Sequence, residues 1–281
     1  AMRNHPAWRG IPVFTPDPPY YSDERSIDYF AAELKRMVSF LEEQTGKKLD
    51  IDRLREIVKI TNEQYVLWAE YNELRRAVPC PHGHILAMAP FTLVYTAGAG
   101  NPEHTEWFNA LIANAERRIR DNDPEVPNQR IRVLWFDVQA IWFNELAQWM
   151  QDEWGVNIVL CMFGYAPYTT IDTSTEDSIF KGLAKRNLLD PPMVRQARGI
   201  ADNFLMDIDR IVKDYKIDCV ILPGHMGHKD GSASISLMRE KCRELGVPFL
   251  VIGVDQFDRR YTSLDEMKDR ISQFFKAMGL G

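Results

Sequence analysis

The chain has 281 residues, of which 26% are charged, and a net charge of −6. This is the make-up of an ordinary globular protein with room for one large or two smaller cores. The charge balance excludes a general nucleic-acid binder, because no basic stripe is available to neutralise phosphates. No apolar run approaches membrane-spanning length and no signal-peptide core opens the sequence, so a cytoplasmic protein without membrane contact is expected.

Residues 1–24 read as irregular, since Thr15-Pro16-Asp17-Pro18-Pro19 forbids a helix. From Ser26 to Gln44 the spacing of Ile27, Phe30, Leu34, Val38 and Leu41 predicts an amphipathic helix closed by Gly46. Asp50 can cap a second, whose apolar face, including Leu54, Val58, Tyr65, Trp68, Tyr71 and Leu74, carries it to about Val78. Pro79-Cys80-Pro81-His82-Gly83-His84 interrupts the pattern. Cys80, His82 and His84 are metal-ligating residue types, but the set is incomplete and the stretch reads as an interhelical turn. Ile85 to Ala97 predicts a buried helix, and Asn101-Pro102-Glu103 starts another that runs to about Asp121.

Beyond the polar linker 122–130 the character changes. Ile131–Phe136, Val156–Met162, Cys219–Leu222 and Phe249–Val254 are short apolar runs rich in β-branched residues, the signature of strands covered on both faces. Helices are predicted over 141–154, 193–215, 232–245 and 264–278. The expected fold is therefore α/β, a doubly wound four-stranded parallel sheet with an N-terminal helical region. Its divisions fall at 1–24 (lead-in), 25–128 (helical) and 129–281 (parallel α/β). The four cysteines, Cys80, Cys161, Cys219 and Cys242, are widely spaced and read as core residues rather than a disulfide framework.

Parallel topology gathers the loops that follow the strands at one edge of the sheet, where ligands bind. The densest in chemistry is Pro223-Gly224-His225-Met226-Gly227-His228-Lys229-Asp230-Gly231, just before a helix. Tyr165, Tyr168, Ser232 and Asp255 stand in the same set of loops as candidate substrate contacts, with Ser232 and Ser234 also placed to cap the helix. No Walker A, G-x-G-x-x-G or G-x-S-x-G pattern is present, so nucleotide binding by those routes and an α/β-hydrolase elbow are not supported.

His225-Met226-Gly227-His228-Lys229, followed by Gly246-Val247-Pro248-Phe249-Leu250 and Asp255-Gln256-Phe257-Asp258-Arg259-Arg260, resembles the benzoyl-CoA reductase and 2-hydroxyacyl-CoA dehydratase family. The closing Asp269 to Phe275 and the long helix with Asn62 and Leu74-Arg75 are also similar. Within the family the wording around His228 looks most like the larger core subunit of the ATP-dependent benzoyl-CoA reductases. Relatives usually open with a further α/β domain whose cysteines hold an iron-sulfur cluster. The present chain resembles a fragment that lacks it, with 1–24 as the segment leaving that domain.

The resemblance implies single-electron reduction of a CoA thioester, with benzoyl-CoA or another acyl-CoA as substrate. It also implies a four-iron four-sulfur cluster in the full subunit or complex, a homologous core subunit and ATP-hydrolysing electron-activating subunits as partners. This chain alone is expected to bind no cluster, because its cysteines do not fall at the family's ligand positions. Many relatives place a cluster cysteine where this sequence has His228. Histidine in that place can ligate iron, donate a proton or donate a hydrogen bond. His225, His228 and Lys229 are the candidate catalytic residues, as proton donors and as stabilisers of a radical anion. Alternative readings are a radical 2-hydroxyacyl-CoA dehydratase subunit and a non-catalytic, partner-binding subunit.

Overall fold

A computed structural model of the chain describes residue 6 and residues 9–96, 98–137, 143–165, 169–192, 201–225 and 227–280. Helix α1 (Glu24–Thr45) starts where the Asp23 carboxylate accepts the Ser26 N–H at 2.8 Å, and stops at Gly46, whose φ of 69° a side chain would disfavour. Helix α2 (Ile51–Leu74) is capped by Asp50, and α3 (Pro102–Arg120) by Asn101 with proline at its first turn. Residues 85–96 do not form the single buried helix that their apolar character predicts. They make consecutive short 3₁₀, α and π turns, with Pro90 removing a donor from the middle and Ile85 exposed.

The second part of the chain alternates as expected: β1 (Ile131–Trp135), α4 (Phe143–Trp154), β2 (Val156–Cys161), α5 (Glu176–Leu189), α6 (Asp202–Asp214), β3 (Cys219–His225), α7 (Lys229–Glu244), β4 (Phe249–Val254) and α8 (Leu264–Ala277). The strands are all parallel, in the order β2-β1-β3-β4. Every residue of β1 and β2 is buried, which is why these strands read as apolar runs rather than alternating patterns. Trp154 of α4 packs on Phe275 of α8 at 5.5 Å between ring centroids, and α6 packs on α7. The right-handed crossovers put these two helix pairs on opposite faces of the sheet.

Two boundaries differ from expectation, and one helix, α5, is not among those predicted. Strand β3 runs on through Pro223 and Gly224 to His225, because β4 pairs with it as far as Val254. Helix α7 begins at Lys229 with His228 in the capping position, so Ser232 lies inside the helix and does not cap it. Helix α5 carries no single apolar stripe, because it is buried on two sides: Phe180, Ala184 and Leu188 meet α1, whereas Ile179 and Leu183 meet α2. The predicted helix over 193–215 is described from Asp202, its earlier part lying outside the described residues. Among the described residues no helix is long and apolar enough to cross a membrane.

The helical layer is fastened to the sheet by a fully buried arginine. The register of β1 on β2 shifts between Val133 and Leu134, which pair with Ile158 and Leu160, so Val159 is an extra residue in β2. Arg75, at the end of α2, donates from Nε to the Val159 carbonyl at 2.8 Å, and its Nη groups serve Ile158, Gly83 and the Tyr71 hydroxyl. Arg75→Lys keeps the charge and loses the planar fork. It is expected to lower the unfolding free energy by about 2–4 kcal/mol, because buried carbonyls left without donors cost roughly 1–3 kcal/mol each. Urea denaturation measures this, and a smaller loss than about 1 kcal/mol would show that the bulge does not depend on the guanidinium.

Candidate functional site

The strand order makes β1 a branch point: the chain leaves it toward β2 on one side, and β3 lies on the other. Connections diverge at such a switch point and leave a crevice at the carboxyl ends of the two strands. Phe136 extends the pairing by donating to the Ile221 carbonyl at 2.9 Å, so the next residue, Asp137, emerges into that crevice. His228, three residues past the end of β3, meets it there, with Nδ1 2.7 Å from Asp137 Oδ1. The Asp137 side chain is 4% exposed and that of His228 19%, so the carboxylate is buried behind an imidazole that water still reaches.

His225 stands beside this pair at the end of β3. The Gln256 N–H, just past β4, donates to its Nδ1 at 3.2 Å. Two glycines clear the space around the histidines. A Cβ on Gly227 would stand 2.9 Å from His225 Nε2, and one on Gly231 would stand 3.2 Å from both His228 Nδ1 and Asp137 Oδ2. Neither glycine has a left-handed backbone, so it is space, not dihedral freedom, that their missing side chains provide.

The other candidate residues fall into place around this edge. Lys229 and Ser232 are exposed on the first turn of α7. Asp255 forms its own turn, accepting the Phe257 and Asp258 N–H groups at 2.9 and 2.8 Å, and these bonds hold its carboxyl below the ordinary aspartate value. Tyr165 lies half-buried past the end of β2, two strands from His225, with its ring on the main core. Tyr168 lies outside the described residues. Asp137 is not among the candidates that sequence reasoning selects, its only signal being its position directly after a buried strand.

A second feature of this edge is a cavity of about 340 Å³, lined mostly by apolar groups from Ile85, Met88, Leu93 and Trp107, with His84 and Asn144 at its polar side. It lies at the carboxyl end of β2, where the Cys161 thiol donates to the Ala87 carbonyl at 3.3 Å and Phe163 stacks near Phe91. Asn144 is in the first turn of α4, and its neighbour Glu145 reaches Arg259 of the loop after β4 at 3.8 Å. That exposed pair contributes little energy.

The sequence profile of the 2-hydroxyglutaryl-CoA dehydratase D-component family matches residues 3–278. The chain belongs to this family. It is 22% identical over 275 residues to the alpha subunit of (R)-2-hydroxyglutaryl-CoA dehydratase from Acidaminococcus fermentans, covering 95% of this chain and 55% of that protein. It is also 22% identical over 283 residues to a benzoyl-CoA reductase subunit from Thauera aromatica, covering 92% and 62%. Against the (R)-phenyllactyl-CoA dehydratase alpha subunit of Clostridium sporogenes it is 20% identical over 278 residues, covering 95% and 64%. The chain thus spans between about half and two thirds of the length of these relatives.

The cysteines of this D-component family member do not suit an iron-sulfur cluster. All four are buried, each in a different element or turn, and thiolates are the ligands a cluster needs. Burial pushes the Cys161 thiol up to about 11 and that of Cys242 to about 12, and raises Cys219 further. Cys80 donates to the His82 carbonyl within its turn, where both His82 ring nitrogens are engaged by Tyr71 and Asn114. Among the described residues no three metal-ligating side chains converge. Anaerobic reconstitution of this chain with iron and sulfide is expected to yield no stoichiometric cluster. Four irons and four sulfides per chain, lost on substitution of any of these cysteines, would refute that expectation.

Proposed function

We propose that this chain forms the acyl-thioester side of an enzyme subunit that reduces the aromatic ring of benzoyl-CoA by single-electron steps. The observation that carries the reading is the Asp137–His228 pair at the switch point of a parallel sheet. It places acid–base groups where such folds hold their ligands, in the loop whose sequence resembles the reductases. The cavity beside β2 suits a compact apolar acyl group, and the exposed Lys229 suits the anionic part of a coenzyme A ester.

In this reading a low-potential one-electron donor, carried elsewhere in the longer protein or on a partner subunit, adds one electron to the thioester. A radical anion forms on the carbonyl. Two electrons and two protons in all convert the ring to a cyclic diene. This chain's residues bind the ester, exclude water, donate hydrogen bonds to the carbonyl oxygen as charge builds there, and supply protons. The partners are a homologous core subunit and ATP-hydrolysing activating subunits, and the compartment is the cytoplasm.

A second reading, dehydration of a 2-hydroxyacyl-CoA, is favoured by the names of two of the three relatives. There the radical anion expels hydroxide, and the radical left behind loses a proton and returns its electron to the donor, so that water is lost with no net reduction. The complete subunit, assembled with its partner and the activating subunits and given ATP and a strong reductant, distinguishes the two. Benzoyl-CoA is expected to be consumed with formation of a diene, and His228→Ala to lower turnover by about 100-fold or more, the usual scale for loss of a general acid or base. Loss of water from a 2-hydroxyacyl-CoA without reduction of benzoyl-CoA would transfer the assignment to the second reading.

A further inference from the structure

We infer that the two histidines of this edge are fixed in opposite tautomers and therefore divide the work at the thioester. His225 is a neutral Nε2–H donor to the carbonyl oxygen, and His228 is the group that transfers protons, with Asp137 as its positioning residue. The inference rests on the proposed function for its chemistry and on the structure for its assignments.

The assignments follow from what each partner is able to do. A backbone N–H only donates, so the Nδ1 of His225, 3.2 Å from the Gln256 nitrogen, accepts. The neutral ring then carries its proton on Nε2. The Val254 carbonyl, 3.4 Å from the same Nδ1, would require a proton there; the shorter contact to the amide takes precedence. A carboxylate only accepts, so the Nδ1 of His228, 2.7 Å from Asp137, donates. The neutral ring then has its lone pair on Nε2.

The consequences differ for the two rings. His228 can take up a proton at Nε2 without breaking its bond to Asp137, and the buried carboxylate stabilises the imidazolium that results. His225 keeps its Nδ1 engaged by the Gln256 N–H and presents Nε2–H, so that ring works as a fixed dipole. The glycines agree with this division. Gly227 leaves bare the Nε2 side of His225, where a methyl group would stand 2.9 Å away, and Gly231 allows the Asp137–His228 contact to close.

Imidazole tautomers are read directly from long-range proton–nitrogen correlation spectra of the chain labelled with ¹⁵N-histidine, its six histidines assigned by single His→Gln variants. Neutral His228 is expected as Nδ1–H and His225 as Nε2–H. In Asp137→Ala, His228 should move to the Nε2–H form that free imidazole prefers, while His225 stays unchanged and reports that the edge is still folded. His228 found as Nε2–H in the wild type, His225 found as Nδ1–H, or a His228 tautomer indifferent to Asp137→Ala would each overturn the inference. The wild-type spectrum alone decides the tautomers, so a variant that fails to fold leaves the test standing.

The division of labour is then read in the assembled enzyme. Gln presents an amide N–H close to the position of Nε2 and transfers no proton. His225→Gln should therefore keep turnover within about tenfold of wild type. His228→Gln should lower it by about 100-fold or more, with KM little changed. Equal losses in the two variants would overturn it. Because the spectra need no substrate, they judge the histidines whether or not any thioester is turned over, so failure of the proposed function is told apart from failure of this inference.

Discussion

The geometry of the molecule depends on one extra residue in an edge strand. Val159 interrupts the pairing of β2 with β1, and a bulge of this kind leaves a carbonyl without a partner in the ladder. In a buried strand that oxygen requires a donor. Arg75 supplies it from the helical layer, and Arg132 in β1 returns the link by donating to the carbonyls of Tyr215, Ala77 and Arg75 itself. Both guanidinium groups are buried among carbonyl dipoles. Such an arrangement is costly to assemble and specific once made, because a hydrophobic replacement would orphan several oxygens at once.

That fastening determines where the edge of the site lies. Asn72, three residues before Arg75, donates to the Gly164 carbonyl at 3.0 Å, and Gly164 packs so tightly on Ala87 that a Cβ there would fall 2.1 Å from the Ala87 oxygen. The bulge, the helix end and the turn past β2 are thus locked together, and residues 85–93 are held over the carboxyl end of β2 as one wall of the cavity. Farther along, Asn62 brackets the Ile171 backbone with two hydrogen bonds, and Arg186 donates to Thr169. The helical layer serves as the mould for one side of the edge, and the sheet order creates the crevice on the other.

Much of this was legible in the sequence, and the limits have physical reasons. The four strands and the histidine loop could be read because buried parallel strands leave continuous apolar runs and because the loop combines glycine, histidine and lysine in nine residues. Asp137 could not be singled out, since its partner lies 91 residues away and nothing local marks the pair. Helix α5 escaped because burial on two sides erases the stripe by which a helix is recognised. Asp255 drew notice as an acidic residue at a strand end, but its carboxylate is engaged in its own turn. Residues 85–96 have the composition of a buried helix, and only the fold shows that Pro90 and the contact with β2 break them into turns.

The residues that carried the family resemblance separate into two physical classes, and the separation bears on how far similarity reaches. Asn62 and Arg75 bind backbone groups and hold the helical layer to the sheet, so their presence reports a shared architecture and is silent about chemistry. His225 and His228 contribute little to the core and are positioned by Gln256 and Asp137, so they report on the candidate site. Relatives near 20% identity with different acyl-CoA names are compatible with the first class being common to all of them. In the proposed function, the choice between ring reduction and dehydration falls to the second class, because both reactions pass through a radical anion and differ in whether protons and a second electron are added or hydroxide, a proton and the electron leave. Of that class, His228 is the one bound through Nδ1 to a buried carboxylate, which is why the proposed function assigns the proton transfer to it.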